Sequence, residues 1–384
     1  MKPGRKANLP ATLLDLPTPS AVIDLDRLKN NTERMVSRAH ALGVRLRPHV
    51  KTHKCIEAAR YQIGDHFGGI TVSTLAEAAY FAAHQFTDIT YGVPIAPGRM
   101  AQAAEVAQMG THLNLLMDDL GMVDPLSKQA ILSGVTFNVL VKVDCGYHRA
   151  GLLPDDPQLV SLAKAINQAP GLVFDGILTH AGNAYDCTSV DAIKGIAEEE
   201  RRQAVYAADI LRQSGLSVST VSVGSTPTTS VVEDLTGVTE VRPGNYALFD
   251  VFQSAIGSCT RSDVALSVIT EVIGRYPARD TLLVDAGALA MSKDPGAVHV
   301  SAEQDFGVVC HPISQQAILG LRLVSLSQEH GKVVMDSTTS GPVAVGDKLR
   351  ILPNHSCLVT ALYPTIYVVQ GTQVVDQWRP ARGW

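Results

Sequence analysis

Over the first two-thirds of the chain, short β-branched runs that close on small or polar residues alternate with stretches whose apolar positions recur every three or four residues. The runs predict eight strands, at Arg45–Val50, Gly69–Thr74, Asp88–Val93, His112–Met117, Phe137–Asp144, Gly176–Ala181, Thr220–Ser225 and Glu240–Tyr246. The clearest helical stretches between them are Asp26–Ala41, Leu75–Ala83, Asp156–Asn167 and Val190–Ser214. Strict alternation predicts a parallel sheet, because each parallel pair needs a crossover of roughly a dozen residues or more. Eight strands over about 200 residues suit a closed (β/α)8 barrel, with an open doubly wound sheet as the rival.

After about residue 262 the rhythm changes. Ala265–Gly274, Thr281–Val284, Gln316–Val324, Lys332–Asp336, Asp347–Ile351 and Ile366–Gln370 read as strands with little helix between them. Turn signals at Tyr276-Pro277, Asp294-Pro295-Gly296 and Ser340-Gly341-Pro342 complete the pattern of an antiparallel β-domain. The predicted organisation is a barrel over residues 18–262 and a C-terminal β-domain over 263–384, joined by residues 1–17.

Composition narrows the function. Of 384 residues, 46% are hydrophobic, enough for a sizeable core. Lys and Arg total 32 against 37 Asp and Glu, a net charge of −5, which argues against nucleic-acid or anionic-membrane partners. No apolar run reaches membrane-spanning length, and no apolar core follows Lys2, Arg5 and Lys6, so the expected location is cytoplasmic. The six cysteines are scattered without a Cys-x-x-Cys pair, the pattern of reduced thiols.

The first strand carries the chemistry. In Arg47-Pro48-His49-Val50-Lys51, alternation along a strand puts Arg47, His49 and Lys51 on one face. An exposed edge strand would solvate them. In a barrel, Lys51 stands at the C-terminal end of strand one, where barrel active sites lie. Neighbouring cations disfavour a further ammonium charge, and an unprotonated amine is what a Schiff base with a carbonyl cofactor requires. The strands predicted seventh and eighth end in Gly224-Ser225-Thr226-Pro227-Thr228 and Arg242-Pro243-Gly244-Asn245-Tyr246. Loops at these two places commonly hold a phosphate. Near the C-terminus, an extended Ile351–Cys357 would point His355 and Cys357 to one side; imidazole plus thiolate favours zinc, although a buried structural cysteine beside an incidental histidine fits the spacing as well.

Pro48-His49-Val50-Lys51-Thr52 resembles the cofactor-lysine motif of the fold-type III, alanine racemase-like pyridoxal phosphate enzymes, in the subgroup of D-serine dehydratases and D-threonine aldolases. The resemblance runs from Thr18-Pro19 to Trp384. It implies a PLP-binding (β/α)8 TIM barrel with Lys51 covalently joined to pyridoxal 5'-phosphate. Gly224, Ser225, Thr226, Gly244 and Asn245 would hold the phosphate. The Lys142-x-Asp-x-Gly-x-x-Arg149-x-Gly pattern implies that Arg149 donates to the phenolic oxygen, and His180-x-Gly-x-x-Tyr185 sets His180 beside the ring and Tyr185 near the pyridine nitrogen. Where relatives carry His-x-Asp, manganese or another harder ion such as magnesium is implied; His355-x-Cys357 implies Zn2+ and the dehydratase branch. Gly69–Thr74, Gln304-Asp305-Phe306-Gly307, Gln328-Glu329-His330-Gly331 and Leu352–His355 are similar in wording to D-threo-3-hydroxyaspartate dehydratases, with His330 a catalytic candidate near the metal.

The implied activity is elimination of water and ammonia from a β-hydroxy D-amino acid. D-threo-3-hydroxyaspartate would give oxaloacetate, and D-serine pyruvate. A metal-dependent retro-aldol cleavage is the alternative, and a non-catalytic PLP carrier a remote one. A homodimer with shared active sites is implied as well.

Overall fold

The computed structural model describes residues 9–300, 305–336 and 343–384. Gln304 and the Ser340-Gly341-Pro342 turn lie outside the described residues. The chain divides into two compact units: one of residues 33–244 and 381–384, the other, among the described residues, of 9–32 and 245–380.

The first strand, β1 (Ser20–Asp24), belongs to the second unit. The first unit is an eight-stranded parallel barrel of β2 (Arg45–Leu46), β3 (Ile70–Val72), β4 (Asp88–Pro94), β5 (His112–Met117), β6 (Phe137–Lys142), β7 (Leu172–Leu178), β8 (Thr220–Val223) and β9 (Glu240–Val241). Each strand pairs in parallel with its neighbour in sequence, except that β2 pairs with β9. Between β2 and β3 the ring closes through a parallel bridge of His49 and Thr71, with the Thr71 N–H donating to Pro48 O at 2.9 Å. The predicted strand Arg45–Val50 is cut short at Leu46 because Pro48 offers no N–H to a ladder, and the chain winds into a 3-10 turn at Val50–Thr52.

Crossover helices cover the outside. Helix Leu75–Ala82 starts on Thr74, whose hydroxyl accepts from the Glu77 N–H; Pro157–Gln168 starts on Asp156 with proline at its first position. In Val190–Gln213, capped by Ser189, the buried side chains are Ile193, Ala197, Glu200, Ala204, Ala207, Ala208 and Leu211, a stripe at helical spacing with one acid in it.

The barrel interior is polar along its axis. Asp88 and Glu240 flank the Arg47 guanidinium at 2.6 and 2.9 Å. Glu240 accepts from Ser222 Oγ at 2.6 Å, and Arg242 donates to Ser222 Oγ and to the Thr179 carbonyl. Arg47, Glu240 and Arg242 are buried, so each charge needs these partners.

The second unit is a nine-stranded sheet of β1 with β10 (Leu266–Tyr276), β11 (Thr281–Val284), β12 (Val308–Cys310), β13 (Ala317–Leu326), β14 (Gly331–Met335), β15 (Lys348–Leu352), β16 (Ile366–Gln370) and β17 (Gln373–Trp378). Strand β10 pairs with β15 through Val268–Glu271 and with β11 through Val272–Tyr276, the latter pairing broken by a bulge between Val272 and Gly274. That double pairing closes β10, β11, β14, β13, β12 and β15 into an antiparallel barrel. Strand β1 lies antiparallel to β10 and parallel to β16, which brings the N-terminal segment into this unit. No helix of the described residues is long and apolar enough to cross a membrane.

Candidate active site

Lys51 stands exposed in the 3-10 turn just beyond β2, at the C-terminal mouth of the first barrel. Its N–H donates to His49 Nδ1 at 3.4 Å. The turn is anchored from behind: buried His53 meets Gln62 Oε1 at 2.7 Å through Nε2 and accepts the Cys55 N–H at 3.0 Å through Nδ1, which fixes a neutral tautomer, and burial lowers its pKa to about 4.

The expected row of three cations does not form. Arg47 is neutralised by Asp88 and Glu240 inside the barrel. Burial, reinforced by Lys51 and Arg242, holds the His49 imidazole well below its ordinary pKa and therefore neutral. His180, in the loop after β7, is held neutral in the same way, by burial and then by Arg149, Lys51, Lys142 and Arg242. Two neutral imidazoles thus share one cationic surround, with Lys51 and Arg242 acting on both. Buried Lys142 is lowered to about 8, by burial first and Arg242 next. Arg149 is exposed and stacks over Tyr147 at 5.3 Å, whose ring meets His180 edge-on at 6.1 Å. Tyr185 is half-buried in the 3-10 turn Gly182–Asp186.

The two loops expected at a phosphate adjoin. The Gly244 N–H donates to Thr226 Oγ1 at 3.3 Å, and a side chain at Gly244 would collide with the His49 carbonyl at 2.7 Å. Gly224 takes a φ of +106° that favours glycine. Its N–H donates to Glu200 and that of Ser225 to Thr228 Oγ1, so these two amides face protein acceptors and shape the turn. Arg242 and Glu200 were not selected from sequence. Arg242 opens the Arg242–Tyr246 stretch that ends the eighth predicted strand, and Glu200 is legible as an acid in phase with the apolar stripe of its helix.

His355 and Cys357 lie in the second unit. They are not on an extended segment. Strand β15 stops at Leu352, ahead of Pro353, and a helix runs from Ser356 to Leu362 with His355 as its extended N-cap. His355 Nδ1 and Asp294 Oδ2 are 2.8 Å apart. Burial alone would depress His355, but hydrogen bonds to Asp294 and Cys357 outweigh it and raise the imidazole to about 10. The Ser356 N–H donates to buried Asp250 at 2.9 Å, and Asn245 Nδ2 donates to the same carboxylate at 2.7 Å. His330 is exposed in the turn between β13 and β14, whose backbone packs on Gly287.

A phosphorylated aldehyde cofactor needs a reachable amine and positive charge about its anionic groups, and Lys51, Arg149, Arg242 and Lys142 with two neutral imidazoles fit that need. Among the described residues no group of three or more His, Cys, Asp or Glu side chains is placed to hold a metal. His355 and Cys357 are two donors of the kind zinc takes, and Asp294 on His355 Nδ1 orients the ring as carboxylates do behind metal-bound histidines.

Residues 23–250 match the family model of the alanine racemase N-terminal domain, and 265–369 that of a putative serine dehydratase domain. The chain is 40% identical to D-threo-3-hydroxyaspartate dehydratase of Delftia sp., over 97% of this chain and 99% of the relative. The solved structure of that enzyme superposes with a TM-score of 0.93 at 40% identity, covering 97% of this chain and 100% of its own. Solved forms of D-threo-3-hydroxyaspartate dehydratase include a histidine-to-alanine mutant and a cysteine-to-alanine mutant in the metal-free form, the mutated positions separated by a single residue. D-serine dehydratase of Dictyostelium discoideum is 36% identical over 96% of this chain and 98% of its own. D-threonine aldolase of Arthrobacter sp. is 28% identical over 96% and 93%.

Proposed function

This chain belongs to the family that joins an alanine racemase N-terminal domain to a serine dehydratase domain, and on that premise we propose that it is a pyridoxal phosphate- and zinc-dependent lyase. Its reaction is elimination of water from a β-hydroxy D-amino acid, D-threo-3-hydroxyaspartate or D-serine, with release of a 2-oxo acid and ammonia; relatives of those two activities cover nearly the whole chain. The observation that carries the reading is the exposed Lys51 amine among His49, His180 and Arg242, with both imidazoles held neutral.

The cofactor, when bound, supplies the electron sink that makes the substrate α-proton acidic. Lys51 would hold it, and the Lys51 Nζ is the base that would accept the α-proton. Arg149 would hold the phenolic oxygen and Tyr185 would serve the pyridine nitrogen. Thr226, Gly244 and Asn245 would hold the phosphate, on a turn shaped by Gly224 and Ser225. His180, kept from protonation by burial and then by the surrounding cations, would stand beside the ring without adding charge.

His355 and Cys357 would hold a zinc ion, which would supply Lewis acidity toward the β-hydroxyl. A soft thiolate beside an imidazole suits zinc over magnesium or manganese. The metal-free cysteine mutant of the relative supports a thiol ligand. The exposed His330 is assigned proton transfer to the departing oxygen. The working form is a homodimer with shared active sites, in the cytoplasm, a reducing setting that suits six free cysteines.

The test is product identification with D-serine, D-threonine and both 3-hydroxyaspartate diastereomers. Ammonia with 2-oxo acid, lost with a chelator and restored by zinc, is the expected result. Glycine with an aldehyde would assign the retro-aldol reaction of the aldolase relative instead.

A further inference from the structure

Glu198, Glu199 and Glu200 stand together before Arg201 and Arg202. Glu198 pairs with Arg201 at 2.6 Å and Glu199 with Arg202 at 2.7 Å on the outside of the helix. Glu200 instead turns inward and is 1% exposed, with Ala197 and Ala204 leaving room on either side. Its Oε1 accepts three hydrogen bonds: Thr179 Oγ1 at 2.9 Å, the Ala181 N–H at 3.0 Å and the Gly224 N–H at 3.0 Å. Its Oε2 accepts from Thr228 Oγ1 at 3.4 Å.

These donors come from the ends of two neighbouring strands. Thr179 and Ala181 flank His180 on the chain leaving β7. Gly224 opens the turn leaving β8, and Thr228 closes the capping box of Ser225 in that turn. Thr228 Oγ1 also takes the Ser225 N–H at 3.0 Å, so the carboxylate fixes the first amide of the turn directly and the second through one hydroxyl. Among the described residues, Glu200 is the acceptor that the Gly224 and Ala181 amides share across the two strands.

We propose that Glu200 is a positioning residue that sets the Gly224–Thr226 turn for a phosphate-bearing cofactor and holds it in register with His180. The proposal rests on the cofactor reading above. Its signature is selective: the grip on the phosphate depends on Glu200, and the reaction of Lys51 with an aldehyde does not.

The experiment titrates cofactor-free wild type, Glu200→Gln and Thr228→Val with pyridoxal 5'-phosphate and, separately, with pyridoxal, following visible absorbance. Circular dichroism and apo-protein melting are recorded alongside. Glutamine keeps the length and one oxygen but removes the charge that strengthens the three bonds to Oε1 and turns an NH2 toward the Thr228 hydroxyl. Glu200→Gln should weaken pyridoxal phosphate binding about tenfold or more while pyridoxal binding stays within about threefold. Thr228→Val, which retains the acid, should show a smaller loss of the same selective kind. Equal loss for both aldehydes in the folded variants, or an unchanged ratio, would overturn the assignment of Glu200. A wild type that binds pyridoxal as tightly as pyridoxal phosphate would overturn the cofactor reading itself.

Discussion

Lowering the pH from 7.5 to 5.5 should destabilise the cofactor-free barrel, because it holds three imidazoles uncharged. His49 and His180 are pushed well below their ordinary pKa by burial and by neighbouring cations, and His53 lies at about 4 through burial. In the unfolded chain each titrates near 6.5. Over this interval the unfolded state therefore binds protons that the native state refuses, and stability rises with pH. The contribution is complete above about pH 7.5 and is lost as the pH falls through 6.5. For His53, at about 4 through burial, the loss across this interval is about 1 kcal/mol, and His49 and His180 add to it in the same direction. Two groups of the second unit work in the opposite sense: His355, held at about 10 despite its burial by Asp294 and Cys357, stays protonated at both pH values and offsets about one histidine, and Asp250, raised by burial, trims the total further. Urea unfolding followed by circular dichroism at both pH values measures the difference. His53→Gln, which leaves an amide beside Gln62, should remove about 1 kcal/mol of it. Equal unfolding free energies at pH 7.5 and 5.5, or a His53→Gln protein with an undiminished pH dependence, would refute the reasoning.

Glu240→Gln should cost about 3 kcal/mol and lower the apo-protein melting temperature by roughly 10 °C, since Arg47 keeps Asp88 but the carboxylate between two buried arginines is lost; a shift under 2 °C by calorimetry would show that the pairing contributes little. Lys51→Ala should abolish the visible absorbance and the borohydride-fixable cofactor, and retained fixation would move the attachment elsewhere. Cys357→Ala should lower bound zinc, and Cys357→Asp should shift preference toward manganese; metal analysis showing unchanged zinc in both would remove the thiol from the ligand set.

The barrel was readable because each parallel strand must be followed by a crossover, and that alternation is printed in the chain from Arg45 to Tyr246. Strands β12 and β17 escaped notice: Val308–Cys310 is too short to show a period, and Gln373–Trp378 is a polar edge. Local spacing failed at the metal pair, where two-residue alternation was read into a segment that buries Ser356, Val359 and Thr360 at helical spacing. Asp294 behind His355 had no signal, since 61 positions separate them. Glu200 was hidden in a run of exposed-looking charges, and only helical phase distinguishes it from Glu198 and Glu199.

The barrel's staves are joined unevenly. Strands β6 and β7 share six registered residue pairs, whereas β2 and β3 meet through the lone His49–Thr71 bridge. Lys51 is mounted two residues past that joint. The turn that carries it gains slack there, since displacing it disturbs one rung instead of a ladder. Amide exchange at Thr71 should accordingly run ahead of that at Val141, making the loosest joint in the cylinder a gauge of the lysine's freedom to move.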